Sequence, residues 1–311
     1  MQIRKLVFFS FICFQLYLFC SVYANHYDCY SWIKSLSSVP RLQITTSQFN
    51  QDAILQIIFE KIGTTNKMCV EFGFGYANSQ HLDMMAFKSS NPIISGLNVH
   101  ALIRKNWTAT FFDAIESNPA INLRKEVLTR KSIGAAFKSA NIPKTVDYVS
   151  IDVDSIDLWL LLGLLESGYR PRVISIEYNA NFGPDMLITC EEKWAPWIGD
   201  AVYGTSAAAI HVVAQQFNYR IVTIMPSGTD IFLIHDSVLQ EHCYNNYPSF
   251  QELVAGIIPF RSHLTASSTS VHRFVDFSLA LQNEHQKAHL VAAAALLKLN
   301  SIFPYNPVVK I

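Results

Sequence analysis

Asp147-Tyr148-Val149-Ser150-Ile151-Asp152-Val153-Asp154, followed one helix-length later by Pro171-Arg172-Val173-Ile174-Ser175-Ile176-Glu177-Tyr178-Asn179, decides the fold. Both runs are short, rich in β-branched residues and continuously apolar at their centres. That is the pattern of strands covered on both faces of a parallel sheet. Both end in carboxylates. In open α/β sheets ligands bind outside the carboxyl ends of the strands, so these acids mark a candidate site as well as a fold.

Working outward from them, residues 68–74, 109–113, 121–128, 146–153 and 172–178 read as five strands. Helices are expected over 78–90, 132–140 and 157–167, the last with Asp157 as its N-cap and Gly168 just past its end. A further helix, 205–217, precedes apolar runs at 219–225 and 230–235. The four residues between those runs fit a hairpin, so the closing pair should be antiparallel. The expected architecture is a doubly wound, mostly parallel seven-stranded sheet of Rossmann-like type spanning residues 67–240. An N-terminal helical segment (25–66, with a helix over 48–62) and a C-terminal helical extension (241–311, with a helix over 276–299) flank it.

The first strand ends Glu71-Phe72-Gly73-Phe74-Gly75, and the second ends at Asp113. Glycines at alternate positions before a helix let the backbone approach a ligand, and an acid closing the next strand suits the ribose hydroxyls of a nucleoside. Two glycines without a third of the pyrophosphate type favour S-adenosylmethionine over a dinucleotide. Glu71, Gly73, Gly75 and Asp113 are therefore the expected cofactor-binding residues. Glu71 is open to two roles, accepting from the ligand's ammonium group or fixing the turn.

These runs, with Asp157-Leu158-Trp159 and the Glu71-Phe72-Gly73 opening, resemble an uncharacterised S-adenosylmethionine-dependent methyltransferase-like family related to the FkbM-type methyltransferases. That family carries segments of the form SIDIDGNDYW and PRVVxIEYN. The resemblance covers about residues 70–237 and extends to Gly183-Pro184, to the Tyr203-Gly204-Thr205-Ser206-Ala207 helix start and to the closing strand. Ser155-Ile156 replace a Gly-Asn pair, and Trp107-Thr108-Ala109 replaces a Trp-x-Gly. The resemblance implies a class I methyltransferase fold and an S-adenosylmethionine cofactor, and no particular acceptor.

Asp152 and Glu177 are the expected catalytic pair, since a carboxylate whose pKa is raised by its neighbours can act as a general base. With Asp154 and Asp157 they also form a group able to hold a hard cation, although Asp157 as a helix cap and Asp154 as a solvated acid would leave only Asp152 and Glu177 in the cleft. Asn179 and Asn181 either orient a substrate or shape their loop, and His211 and His235 read as structural. Three functions compete: methyl transfer to an unknown small-molecule, glycan or protein acceptor, glycosyl transfer using Asp152-Val153-Asp154 as a metal-binding DxD, and a non-catalytic binding module.

At the N-terminus, Arg4 and Lys5 precede an apolar run from 6 to 20, with Val22 and Ala24 at the −3 and −1 positions of a cleavage site. This reads as a signal peptide, residues 1–24, and predicts a secretory-pathway or secreted protein without a membrane span after cleavage. An uncleaved anchor is the alternative. Two of the six cysteines leave with the signal, and the pairing of Cys29, Cys69, Cys190 and Cys243 is open, Cys69 reading as a buried hydrophobe in a central strand. Asn106-Trp107-Thr108 is a glycosylation sequon. The 24 basic and 24 acidic residues balance, so nucleic acid is not an expected partner.

Overall fold

The computed structural model describes residues 28–40, 46–74, 83–85, 96–198, 202–225, 228–243, 246–257 and 273–300. The apolar runs form the strands β1 (Met68–Phe72), β2 (Thr108–Asp113), β3 (Leu123–Lys125), β4 (Tyr148–Ile151), β5 (Val173–Glu177), β6 (Ile188–Cys190), β7 (Tyr219–Ile224), β8 (Asp230–His235) and β9 (Phe274–Asp276). Seven of them make one sheet in the order β3-β2-β1-β4-β5-β8-β7. Strands β1 to β5 pair in parallel, and β8 runs antiparallel to both β5 and β7. The order reverses between β1 and β4, which makes their carboxyl ends the switch point of a Rossmann-like sheet.

Alternation within β4 and β5 explains the two layers. Val149, Ile151, Ile174 and Ile176 face a core shared with Phe137, Leu161 and Ile210, while Tyr148 and Val173 face a second core with Ile54, Ile103 and Leu239. The helix Asp157–Glu166 is buried from Asp157 through Leu165. A helix apolar on all sides belongs inside a domain, and this one packs so closely that a Cβ at Gly163 would meet the Arg130 carbonyl oxygen at 2.2 Å.

Several elements depart from expectation for identifiable reasons. β3 begins late because Pro119–Ile121 form a 3₁₀ turn capped by the Asn118 side chain, and Asn122 then takes a left-handed conformation. The N-cap of the central helix is Ile156, with Asp157 its first residue. Gly168 does follow that helix at φ +81. The C-terminal stretch is not one helix: Phe277–Leu281 and His285–Asn300 are separated by Asn283 at φ +61, and β9 precedes them, pairing with β6 in a second, two-stranded sheet. The N-terminal segment carries Cys29–Leu36, capped by Asp28, besides Gln51–Ile62. The helix expected over 78–90 lies outside the described residues apart from 83–85. Asn106 is exposed in the turn before β2. No helix among the described residues is long and apolar enough to cross a membrane.

At the amino ends of the strands, one carboxylate ties four segments together. Asp147 accepts hydrogen bonds from the backbone N–H of Thr65, Asn66 and Lys67, from the Thr65 hydroxyl and from Arg172 at 3.0 Å. Arg172 also donates to the carbonyls of Ile62 and Gly63. Burial alone would raise the Asp147 pKa, but the Thr65, Asn66, Arg172 and Lys67 donors hold it below the ordinary value. Breaking a buried pair from one side strands the other charge. Asp147→Ala should therefore cost about 3–5 kcal/mol in denaturant unfolding, and a loss under about 1 kcal/mol would contradict this account.

Cys29 and Cys243 form a disulfide across a sequence separation of 214, while Cys69 and Cys190 are buried. Peptide mapping of unreduced protein should find the 29–243 link and alkylation of Cys69 and Cys190 only after unfolding. Replacing both linked cysteines with serine should lower stability by about 2–4 kcal/mol.

Candidate active site at the carboxyl ends of the strands

A cavity of about 860 Å³ opens at the switch point and is lined by Glu71, Gly73, Asp113, Asp152, Asp154 and Glu177. Five of these are the sequence-predicted site residues. The sixth expected residue, Gly75, lies outside the described residues. The volume falls within the roughly 300–1,000 Å³ typical of small-molecule sites. Phe112, Val127 and Leu128 supply apolar wall, and Trp194, Trp197 and Tyr203 supply an aromatic one.

Each residue is positioned by its strand end. Glu71 accepts the backbone N–H of Asn98 through one oxygen at 2.8 Å and that of Val99 through the other at 3.2 Å. Its role is thus to hold the 96–99 turn against β1, a third possibility beside the two the sequence suggested. Burial pushes its pKa up to about 8 despite those hydrogen bonds. In register with Glu71 lie Ser150 and Ser175, which continue a buried polar row: Asn98 donates to Ser150, and the Ser175 hydroxyl meets both Ser150 and Tyr148.

Gly73 has a φ of +71, and a Cβ there would sit 1.9 Å from the Asp152 carbonyl oxygen. From the sequence this glycine is expected to let a ligand approach. Its nearer reason is the approach of the β1 end to the β4 end, which leaves no room for a side chain. Asp113 closes β2, lines the cavity and accepts from the N–H groups of Ile115 and Glu116 through Oδ1, an Asx turn that fixes its orientation.

Asp157 is buried and turned to its own loop, accepting from Val153 at 2.7 Å and Ser155 at 2.9 Å. Asp154 is not a solvated bystander: it lies half-buried on the cavity at φ +59, beside Asp152 and Glu177. Burial is the first cause of every shift here. It carries Asp154 to about 6 and Asp157 to about 7, and with the charges of their acidic neighbours it raises Asp152 and Glu177 well above the carboxylate range. Asp230, paired in register with Glu177, accepts from Gln51 and is raised by burial to about 6. Groups that hold protons near neutral pH can take or give them during a reaction.

Asn179 shapes its loop, donating to the Tyr203 carbonyl and accepting from the Asn181 N–H. His211 stacks on Phe250, and His235 caps the helix Asp236–Gln240; neither lines the cavity. Sequence reasoning missed Trp194, Trp197 and Tyr203. The first two are 40% and 41% exposed, and a tryptophan pair spaced by Ala195-Pro196 in a polar stretch was the available signal.

Glu71, Asp154, Asp157 and Asp230 keep their protons to higher pH in the folded chain than in the unfolded one. Their contribution to stability is complete below the unfolded carboxylate range and is lost as pH rises through the folded values, about 6 to 8. The melting temperature in chelator-treated buffer should accordingly fall from about pH 5 to about pH 8, and a rise across that interval would contradict the assignment. No protein-family model matches the sequence and no curated protein matches it.

Proposed function

We propose that the protein is an S-adenosylmethionine-dependent methyltransferase of class I type, acting on an acceptor of the secretory pathway. The observation that carries this reading is that one cavity at the β1–β4 switch point collects Gly73, Asp113, Asp152 and Glu177. The sheet order, with a single antiparallel strand next to the edge, agrees with the class I arrangement implied by the resemblance of the β4 and β5 sequences. The Cys29–Cys243 disulfide agrees with an oxidising compartment.

In this reading Asp113 would hold the ribose hydroxyls of the cofactor's nucleoside, and Phe112, Val127 and Leu128 would supply the apolar wall for its base. When bound, the cofactor supplies an electrophilic methyl group. The chain's own part is to hold the acceptor between the tryptophan wall and the carboxylates, to exclude water and to receive the acceptor's proton on Asp152 or Glu177. Glu71 keeps the 96–99 turn in place at the end of β1. A second reading, a nucleotide-sugar transferase, is favoured by Asp154 standing beside Asp152 and Glu177.

Calorimetric titration with S-adenosylhomocysteine separates these. Wild type should bind it, and Asp113→Ala should bind about tenfold to hundredfold more weakly through loss of charge-assisted hydrogen bonds. Absence of binding by folded wild type, with binding of a nucleotide sugar plus manganese instead, would overturn the proposal in favour of the second reading. Binding without turnover on any acceptor would leave a non-catalytic module.

A further inference from the structure

We propose that Asp152, Asp154 and Glu177 form a divalent-cation site at the ends of β4 and β5. One carboxylate oxygen from each lies within 4.8 Å of the others, and all three residues are half-buried on the same cavity. Oxygens bound to one hard cation at roughly 2.1–2.5 Å stand up to about twice that distance apart, so the three fit around a single ion. No described residue forms an ion pair with any of them.

One observation outside the clustering of acids points to a ligand. Glu177 Oε2 is buried with no hydrogen-bond partner, which a native interior seldom tolerates. Tyr203, only 7% exposed, lines the same cavity. A cation on the three carboxylates would satisfy Glu177 Oε2, and Tyr203 stands where it can meet an oxygen ligand on that cation, water or acceptor.

The supporting shell is that of a metal site. Asp157 accepts the N–H groups of Val153 and Ser155, on either side of Asp154, and so fixes the loop that presents the ligand, the role outer-shell partners play around bound metals. Asp154 itself sits at φ +59, a conformation aspartate tolerates better than most residues. The donor set is all carboxylate, without histidine or cysteine, and so selects hard ions such as Mg²⁺, Mn²⁺ or Ca²⁺ over Zn²⁺ or Cu²⁺. The remaining coordination positions face the cavity, where an acceptor oxygen would be held and polarised. The site rests on these residues and does not depend on the methyl-transfer reading.

The test is titration of chelator-treated full-length protein with Mn²⁺, followed by electron paramagnetic resonance of the free ion, with S-adenosylhomocysteine binding measured on the same samples. Wild type should take up one Mn²⁺ per chain. Glu177→Gln and Asp154→Asn should each weaken uptake by about tenfold to hundredfold or more, while Glu60→Gln on the far surface should not change it. Circular dichroism checks folding, and either folded variant alone decides. Tyr203→Phe should keep Mn²⁺ but alter water-proton relaxation at the bound ion. Absence of stoichiometric Mn²⁺, or uptake unchanged in a folded Glu177→Gln or Asp154→Asn, overturns the site. Mn²⁺ uptake without S-adenosylhomocysteine binding would keep the site and remove the methyl-transfer reading; the reverse would do the opposite.

Discussion

The arrangement of the sheet depends on one carboxylate with a full complement of partners. Asp147 gathers the 65–67 loop and Arg172, and Arg172 in turn holds the last carbonyls of the helix Gln51–Ile62. This knot aligns the amino ends of β1, β4 and β5 relative to one helix. Because the strands are parallel and only four to five residues long, aligning one set of ends fixes the other. The cavity is where the far ends of those strands come out.

The two poles of the sheet are electrostatic opposites. At the amino pole a buried acid is paired, hydrogen-bonded and held ionised. At the carboxyl pole six acids, at 71, 152, 154, 157, 177 and 230, are crowded together with no ion-pair partner among the described residues, and each has its pKa raised. Such a concentration of one charge sign away from water is unfavourable for folding. Proteins keep such features where the charge has a task, so the asymmetry is itself a reason to locate chemistry at this end.

Much of this was legible in the sequence because the physical signals are local. Continuous β-branched runs betray strands buried on both faces, and carboxylates at their ends betray the crevice. What escaped depends on proximity in space. No spacing rule tells that Gly73 faces the Asp152 carbonyl, that Cys29 meets Cys243, or that β6 finds β9 across the chain. Asp157 looked like a cap because its residue type and place before an apolar helix are those of caps; that it reaches back to Val153 follows from the loop's turn at Asp154. Pro119 explains the late start of β3, and that signal was present but outweighed by the apolar run after it.

The disulfide closes a covalent ring that contains the whole seven-stranded sheet, since Cys29 precedes β1 and Cys243 follows β8. A protease cutting one loop anywhere within that ring yields two polypeptides that remain a single molecule. Such a nicked protein would keep its mass and its core and part into fragments only in a reducing environment. The ring therefore protects the integrity of the fold against a single cleavage, a hazard that extracellular and lumenal proteins meet routinely.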